Sequence, residues 1–231
     1  MISVSKKEWS ERKFNTNLVD KLSQDNNFSQ ILSKLIISRN FNDEEVHSIK
    51  HLKNINFSNV FKFNEDYKKS IDLVVKCVKN KETICIFGDY DVDGASSTAL
   101  LTRYFLSINQ KVQTYIPDRQ KEGYGPNIDG FNFLIHQGAK IIFTVDCGTL
   151  SFSPIKFAQN QDIDVIVLDH HQSDSKLPNA CAIVNPNRYD DASDLTYLCA
   201  SGVCFIFLIA LNKKLRDEDW FNKIKLMNLT F

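Results

Sequence analysis

The chain changes texture near residue 80. Before that point apolar positions recur at helical spacing, with Ile31, Leu32, Leu35 and Ile36 in one segment and Ile71, Val74, Val75 and Val78 in another. All 8 Gly lie between Gly88 and Gly202, and all 5 Pro lie after residue 116, so the first 87 residues lack turn punctuation. This predicts a helical N-terminal region over residues 1–80 that packs as support on the core. From Thr83 onward short apolar runs alternate with amphipathic segments. The runs predict strands at Thr83–Phe87, Val112–Ile116, Ile141–Val145 and Val165–Leu168, with a short further run at Ala182–Val184. Helices are expected at Gly94–Ser107, Ile128–Gln137, Ser153–Gln159 and Cys199–Lys214. Strands alternating with helices imply an α/β fold over residues 81–231: a Rossmann-like parallel sheet of about five strands with helices on both faces.

Composition narrows the class. The 231 residues carry 28 basic and 28 acidic side chains, a net charge of zero, with 43% hydrophobic and 24% charged residues. That balance excludes a disordered tail, a collagen and a highly basic packing protein, and it makes any basic surface local. The most apolar run, Gly202 to Leu211, is too short to span a bilayer and predicts a buried helix. Lys6, Lys7 and Glu8 leave no room for a secretory h-region. The six Cys never form a Cys-x-x-Cys pair and sit mostly in apolar runs, as small hydrophobes in a reducing cytoplasm. A cytoplasmic location without membrane contact is expected. His47, His51 and His136 are expected to be structural or surface residues.

Polar residues gather at the strand tips. Strand one runs into Gly88-Asp89-Tyr90-Asp91-Val92-Asp93-Gly94, strand three into Asp146-Cys147-Gly148, and strand four into Asp169-His170-His171. In an open parallel sheet these carboxyl ends share one edge, where ligands bind. Asp91, Asp93, Asp146, Asp169, His170 and His171 should therefore converge. Crowded carboxylates repel unless some stay protonated or a cation joins them. Carboxylate with imidazole suits Mn²⁺, Mg²⁺ or Zn²⁺, and so many acidic ligands could neutralise two ions. A single Asp-x-Asp-x-Asp turn reads equally well as solvated surface or as an EF-hand-like loop. The latter fails for want of a Glu at loop position 12 and of a preceding helix, and three acidic turns at three strand tips make the former unattractive. His170-His171, taken alone, could be a surface pair. In an extended loop the two rings point opposite ways, so one can face a metal and the other a substrate.

The loop after strand two, Ile116-Pro117-Asp118-Arg119-Gln120-Lys121-Glu122-Gly123-Tyr124-Gly125-Pro126, combines cations, an aromatic and paired glycines. Arg119 and Lys121 could hold phosphates and Tyr124 could stack on a base or sugar; by itself the loop also reads as solvated charge. The helix start at Gly94-Ala95-Ser96-Ser97 points free N–H groups at the same edge, which places Ser96 by an anion site.

The set Gly-Asp-Tyr-Asp-Val-Asp-Gly, Glu-Gly-Tyr-Gly, Val-Asp-Cys-Gly and Asp-His-His resembles the DHH phosphoesterase superfamily, and within it the single-strand-specific bacterial DNA exonucleases. Asn185-Pro186-Asn187, the Ala200-Ser201-Gly202-Val203 helix start, and Leu215-Arg216-Asp217 with Trp220-Phe221 add to the likeness. The resemblance implies a DHH domain, two Mn²⁺ or Mg²⁺ ions, and 5′-to-3′ release of mononucleotides from single-stranded DNA in repair and recombination. Carried over by motif, Asp91, Asp93, Asp146 and His170 match metal ligands, Asp169 a supporting group or ligand, and His171 a contact to the scissile phosphate. Arg119, Glu122 and Tyr124 match residues placed beside the nucleic acid. Single-stranded DNA-binding protein and a helicase are partners implied by family only. Some relatives carry a His where Phe87 stands. The chain stops at Leu229-Thr230-Phe231, before a family motif that supplies a further Asp ligand, and before the DHHA1 and OB-fold domains. The expectation is therefore a weak or inactive nuclease, with the apolar surface of Val203–Leu211 exposed. The alternatives are a DHH hydrolase of short oligonucleotides, cyclic dinucleotides or pyrophosphate, and a non-catalytic binding remnant.

Overall fold

Helix caps and a parallel sheet organise the chain. A computed structural model describes residues 8, 10, 13–50, 65–193 and 195–220; His51, Phe221 and the Leu229-Thr230-Phe231 end lie outside these residues. The chain divides into two compact units, Met1–Asn56 and Phe57–Phe231.

In the first unit, polar caps start each helix. Asn15 accepts from Asn17 N–H at the start of α1 (Thr16–Asn26), and Ser29 accepts from Leu32 N–H at the start of α2 (Gln30–Ser38). Before α3 (Asp43–Lys50), Asn42 and Glu45 exchange side-chain-to-backbone hydrogen bonds of 2.8 and 2.9 Å, a reciprocal capping box. Of the apolar residues whose spacing predicts α2, Ile36 is buried while Ile31 and Leu35 are exposed.

The second unit begins with α4 (Glu65–Lys79) and holds a five-stranded sheet in the order β2-β1-β3-β4-β5, every neighbouring pair parallel. The strands are β1 (Thr83–Gly88), β2 (Val112–Tyr115), β3 (Ala139–Val145), β4 (Asp164–Leu168) and β5 (Ala182–Val184). The helices between them are α5 (Val92–Ser107), α6 (Ile128–His136) and α7 (Phe152–Gln159), and α8 (Ala200–Asp217) comes last. The expected α/β sheet with helices on both faces is therefore present, and boundaries move by a few residues. Helix α5 starts two residues early because Asp91 caps it, accepting from Asp93 and Gly94 N–H. Helix α8 runs past Lys214 because Lys214 pairs with Glu218 at 3.1 Å across the last turn.

Alternation along each strand sends side chains to two cores. Ile84, Ile86, Ile141, Phe143, Val145, Ile166 and Leu168 pack beneath α4, α5 and α8. Phe143 meets Phe105 of α5 at 5.8 Å and Phe207 of α8 at 5.6 Å between ring centroids. Cys85, Phe87, Ile142, Val165 and Val167 pack against Phe131 and Leu134 of α6 and Ile155 of α7. Each such fully buried side chain contributes about 1.5–3 kcal/mol. The exposure of Val203–Leu211 that the resemblance implies is corrected: Val203, Cys204, Ile206, Phe207, Leu208 and Leu211 are buried in the first of these cores, as the apolar run itself predicts, because α8 lies directly on the sheet, while Phe205 stays exposed. No helix among the described residues is long and apolar enough to cross a membrane.

The outer edge of β5 is plugged. Ile183 N–H donates to Asp66 of α4 at 3.1 Å, Ile183 C=O accepts from Arg188 at 2.8 Å, and Asp66 and Arg188 pair at 2.6 Å. These groups satisfy the backbone positions that a further strand would use.

Candidate metal centre

Register builds the centre. Gly88 pairs with Val145, Val145 with Leu168, and Leu168 with Val184. The first residue beyond each of these strands therefore falls in one row: Asp89, Asp146, Asp169 and Asn185. All four are buried. The row crosses the gap between β1 and β3, where the strand order reverses and an open α/β sheet leaves a crevice. Asp146 adopts φ 60 and Gly148 φ 110, a sharp turn that aims the Asp146 carboxyl along the edge. A Cβ at Gly94 would stand 2.5 Å from Asp89 O, so only glycine lets α5 start this close to the tip of β1.

Two acidic groups have structural partners as well. Asp91 Oδ1 caps α5. Asp93 caps α8 from a distance: it accepts from Ala200 N–H at 2.7 Å, from Ser201 N–H at 2.9 Å and from the Ser201 hydroxyl. Cys199, at the cap position itself, offers no side-chain bond. Oδ1 takes both Ser201 bonds, so Oδ2 is the oxygen that keeps a second lone pair, and it lies 3.7 Å from His170 Nε2.

The histidines are held at defined angles. His170 Nδ1 lies 3.2 Å from Leu198 C=O, an acceptor, so in the neutral ring Nδ1 carries the proton. The Nε2 lone pair then faces Asp146 Oδ1 at 3.3 Å. His171 Nδ1 pairs with Asp169 Oδ1 at 2.8 Å. Asp169 Oδ2 accepts from the Thr149 hydroxyl at 2.6 Å and from Thr149 N–H at 3.1 Å.

The electrostatics favour a proton or a cation in the crevice. Burial, then the Asp93 and Asp91 carboxylates, push Asp146 up to about 8. Burial raises Asp89 as well. Burial also works against the charge on Asp169, but hydrogen bonds from His171 and Thr149 outweigh it and hold this group at about 2. The bond to Asp169 in turn raises His171. Asp89 Oδ1 and Asp146 Oδ1 are buried without a hydrogen-bond donor. Two orphaned carboxyl oxygens in one crevice are costly when ionised unless a cation meets them.

The donor set fits one. Asp89, Asp91 and Asp146 form one group with ligand atoms within 4.8 Å of one another, and Asp146, His170 and His171 form another. Asp146 belongs to both. Oxygen and imidazole donors of this kind suit Mn²⁺ or Mg²⁺. The expected residues Asp91, Asp146 and His170 thus come together, Asp169 sits behind His171, and Asp93 stands beside His170 but outside both groups. Phe87, at the position where some relatives carry a His, turns its ring into the core against Phe131.

The loop after β2 reaches the same edge. Gly123 and Gly125, at φ 80 and 81, flank Tyr124 and turn it inward. Its hydroxyl donates to Asp146 C=O at 3.1 Å and lies 3.3 Å from the His171 ring nitrogens. Tyr124 meets the edge of Tyr90 at 6.5 Å, and the Arg119 guanidinium lies over Tyr90 at 5.1 Å. Glu122 turns into its own loop instead, accepting from Tyr115 O–H, Asp118 N–H and Asn127 Nδ2. Ser96 sits half-buried in the first turns of α5. His136 caps back onto Asn132 C=O on exposed α6.

Sequence reasoning passes over Thr149 and Asn185 as site residues. Asn185 carries a usable signal: like the three Asp, it directly follows a buried apolar run. Thr149 carries none, since its role depends on the turn after β3.

Residues 83–227 match the DHH family, N-terminal domain. The single-stranded-DNA-specific exonuclease RecJ of Bacillus subtilis is 32% identical over 215 residues, which cover 93% of this chain and 27% of that protein. The RecJ of Escherichia coli is 34% identical over 157 residues, 68% of this chain and 27% of that protein. The chain thus spans only a minor part of these relatives. Among solved structures, exonuclease RecJ bound to manganese matches with a TM-score of 0.60 at 28% identity, over 66% of this chain and 38% of that one. RecJ of Thermus thermophilus in complex with Mn²⁺ shares the fold, with a TM-score of 0.61 at 20% identity, over 87% of this chain and 28% of that one. With four motifs converging on one sheet edge and a family match over most of the second unit, the chain belongs to the DHH family.

Proposed function

We propose that this chain carries the ion-binding core of a phosphodiester hydrolase that removes nucleotides from the 5′ end of single-stranded DNA. The observation that carries this reading is Asp146, one buried carboxyl shared by two groups of candidate ligands at the reversal point of the sheet. Asp91, Asp93, Asp146 and His170 would hold two Mn²⁺ or Mg²⁺ ions, with Asp89 in reach of one of them. Such a pair supplies an activated water and offsets the charge that develops on phosphorus. Asp169 fixes the tautomer and angle of His171, whose half-exposed ring would contact the scissile phosphate. Tyr124, Tyr90 and Arg119 form an aromatic and cationic wall along which bases and phosphates can lie. Ser96 would add a hydroxyl for a phosphate, the expected free N–H groups at the start of α5 being taken by Asp91, and Glu122 shapes the loop that presents Tyr124.

We assign this work to a DHH domain at residues 81–231, acting in the cytoplasm in DNA repair and recombination. Single-stranded DNA-binding protein and a helicase are proposed partners on the likeness to RecJ. In isolation the chain is proposed to be a weak nuclease. The test is Mn²⁺-dependent release of mononucleotides from 5′-labelled single-stranded DNA, beside a dinucleotide, a cyclic dinucleotide and pyrophosphate. Preferred cleavage of one of the short substrates overturns the substrate assignment. A calorimetric titration without Mn²⁺ uptake overturns the ion site and leaves a binding module.

A further inference from the structure

We propose that Asn185 and Asn187 are positioning residues that fix the imidazoles of His170 and His171; the inference rests on the ion-site reading above. The two histidine peptide units are pinned at both ends. Their N–H groups donate to Asp169 Oδ1 at 2.7 and 3.2 Å. Their carbonyls accept from the two asparagines: His171 C=O from Asn185 Nδ2 at 2.8 Å, and His170 C=O from Asn187 Nδ2.

The tract is built for this task. Asn185 is fully buried and also donates to the Thr149 hydroxyl at 2.8 Å, which in turn donates to Asp169. Its Oδ1 accepts from Asn187 N–H at 2.7 Å. An amide can give two protons, here to His171 C=O and the Thr149 hydroxyl, and still accept one from a backbone N–H. Pro186 keeps Asn185 extended, in line with β5, and needs no donor partner of its own. Arg188 anchors the far end, bonding Ile183 C=O and Asp66. With the backbone held at four points, only ring torsions are left to set, and Leu198 C=O and Asp169 set those. Side chains that hold ligands in place in this way typically affect metal affinity by about 10–100-fold.

The test uses the full chain with Asn187→Ala and Asn187→Asp. The Asp variant keeps the shape but has no N–H to give. Both are expected to bind Mn²⁺ about tenfold more weakly. Both are also expected to shift the histidine ring nitrogen resonances of His170 and His171 in the metal-free protein, with those of His136 unmoved. Asn185→Ala should do the same; because that site is fully buried, the Asn187 pair decides if it fails to fold. Asn187→Asp with wild-type ring resonances and wild-type Mn²⁺ affinity would overturn the proposal. If the wild type takes up no Mn²⁺, the ion-site reading fails, and the ring resonances of the metal-free chain still decide the positioning role.

Discussion

The Nε2 lone pair of His170 faces Asp146 Oδ1 across 3.3 Å. Two lone pairs at that separation need a proton or a cation between them. Replacing Asp146 should therefore have opposite effects on stability and on ion binding. Asp146→Asn removes a buried charge that the metal-free fold tolerates badly, so its melting temperature in chelator at alkaline pH should rise by roughly 2–4 °C, the shift given by about 1 kcal/mol at this size. The same variant should lose Mn²⁺ affinity by roughly 10–100-fold. A fall in both quantities would mean that the carboxyl is a structural anion.

Acid and base should act on the metal-free chain in a defined direction. Asp146 titrates at about 8 in the fold against an ordinary 3.8, so the folded chain keeps a proton that the unfolded chain releases. Stability from this group is full below the ordinary value and is lost as pH climbs through about 8. His171, raised by Asp169, adds to the same trend. Asp169, held at about 2, loses its contribution only as pH falls from 3.8 toward that value. Chemical denaturation in chelator should therefore show a less stable protein at about pH 9 than at about pH 5; equal or greater stability at the higher pH would refute the assignment.

Ion uptake should release a proton. Below about pH 8 the Asp146 carboxyl must ionise before it can coordinate. Apparent Mn²⁺ affinity should rise with pH and level off above that value. Calorimetry in two buffers of different ionisation heat reads the released proton directly; identical heats in both buffers would contradict the mechanism.

Asp93 separates capping from charge. Asn caps a helix about as well as Asp, whereas Ala does not. Asp93→Ala should lose about 0.5–2 kcal/mol of stability through the start of α8, and Asp93→Asn should keep part of it, since its one oxygen can still accept from Ser201 while its amide nitrogen faces Ala200 N–H. Both should weaken Mn²⁺ binding. Thermal melts with and without the ion distinguish the two effects.

Tyr124 offers a hydroxyl to Asp146 C=O and a ring to the crevice. Tyr124→Phe should retain affinity for single-stranded DNA. Tyr124→Ala should lose about 1–3 kcal/mol, the cost of one base stack. Fluorescence anisotropy with a labelled oligonucleotide measures both, and equal loss in the two variants would assign the binding to the hydroxyl.

The strand tips are legible in the amino-acid sequence because a polar residue directly follows each buried apolar run, and parallel pairing places such residues together. Asp89, Asp146 and Asp169 line up for that reason, and Asp91 and His170 follow within two residues of them. What escapes is set by distant partners. Asp93 meets Ala200 at a separation of 107 residues, and no local pattern announces a remote cap. Thr149 enters through a turn whose angles only the folded chain defines. The burial of Val203, Phe207 and Leu211 follows the apolar run, and it departs only from the exposure that the resemblance implies, because the sheet itself covers this face of α8.

The row Asp89, Asp146, Asp169 and Asn185 exists only in one alignment of the strands. Sliding β4 by a single residue would move Ile166 and Leu168 to the wrong side of the sheet and carry Asp169 out of line in the same step. The oily interior thus proofreads the chemistry. Any chain that settles its greasy side chains correctly has already assembled its charged ones, and a misaligned one is too unstable to survive with a half-built centre.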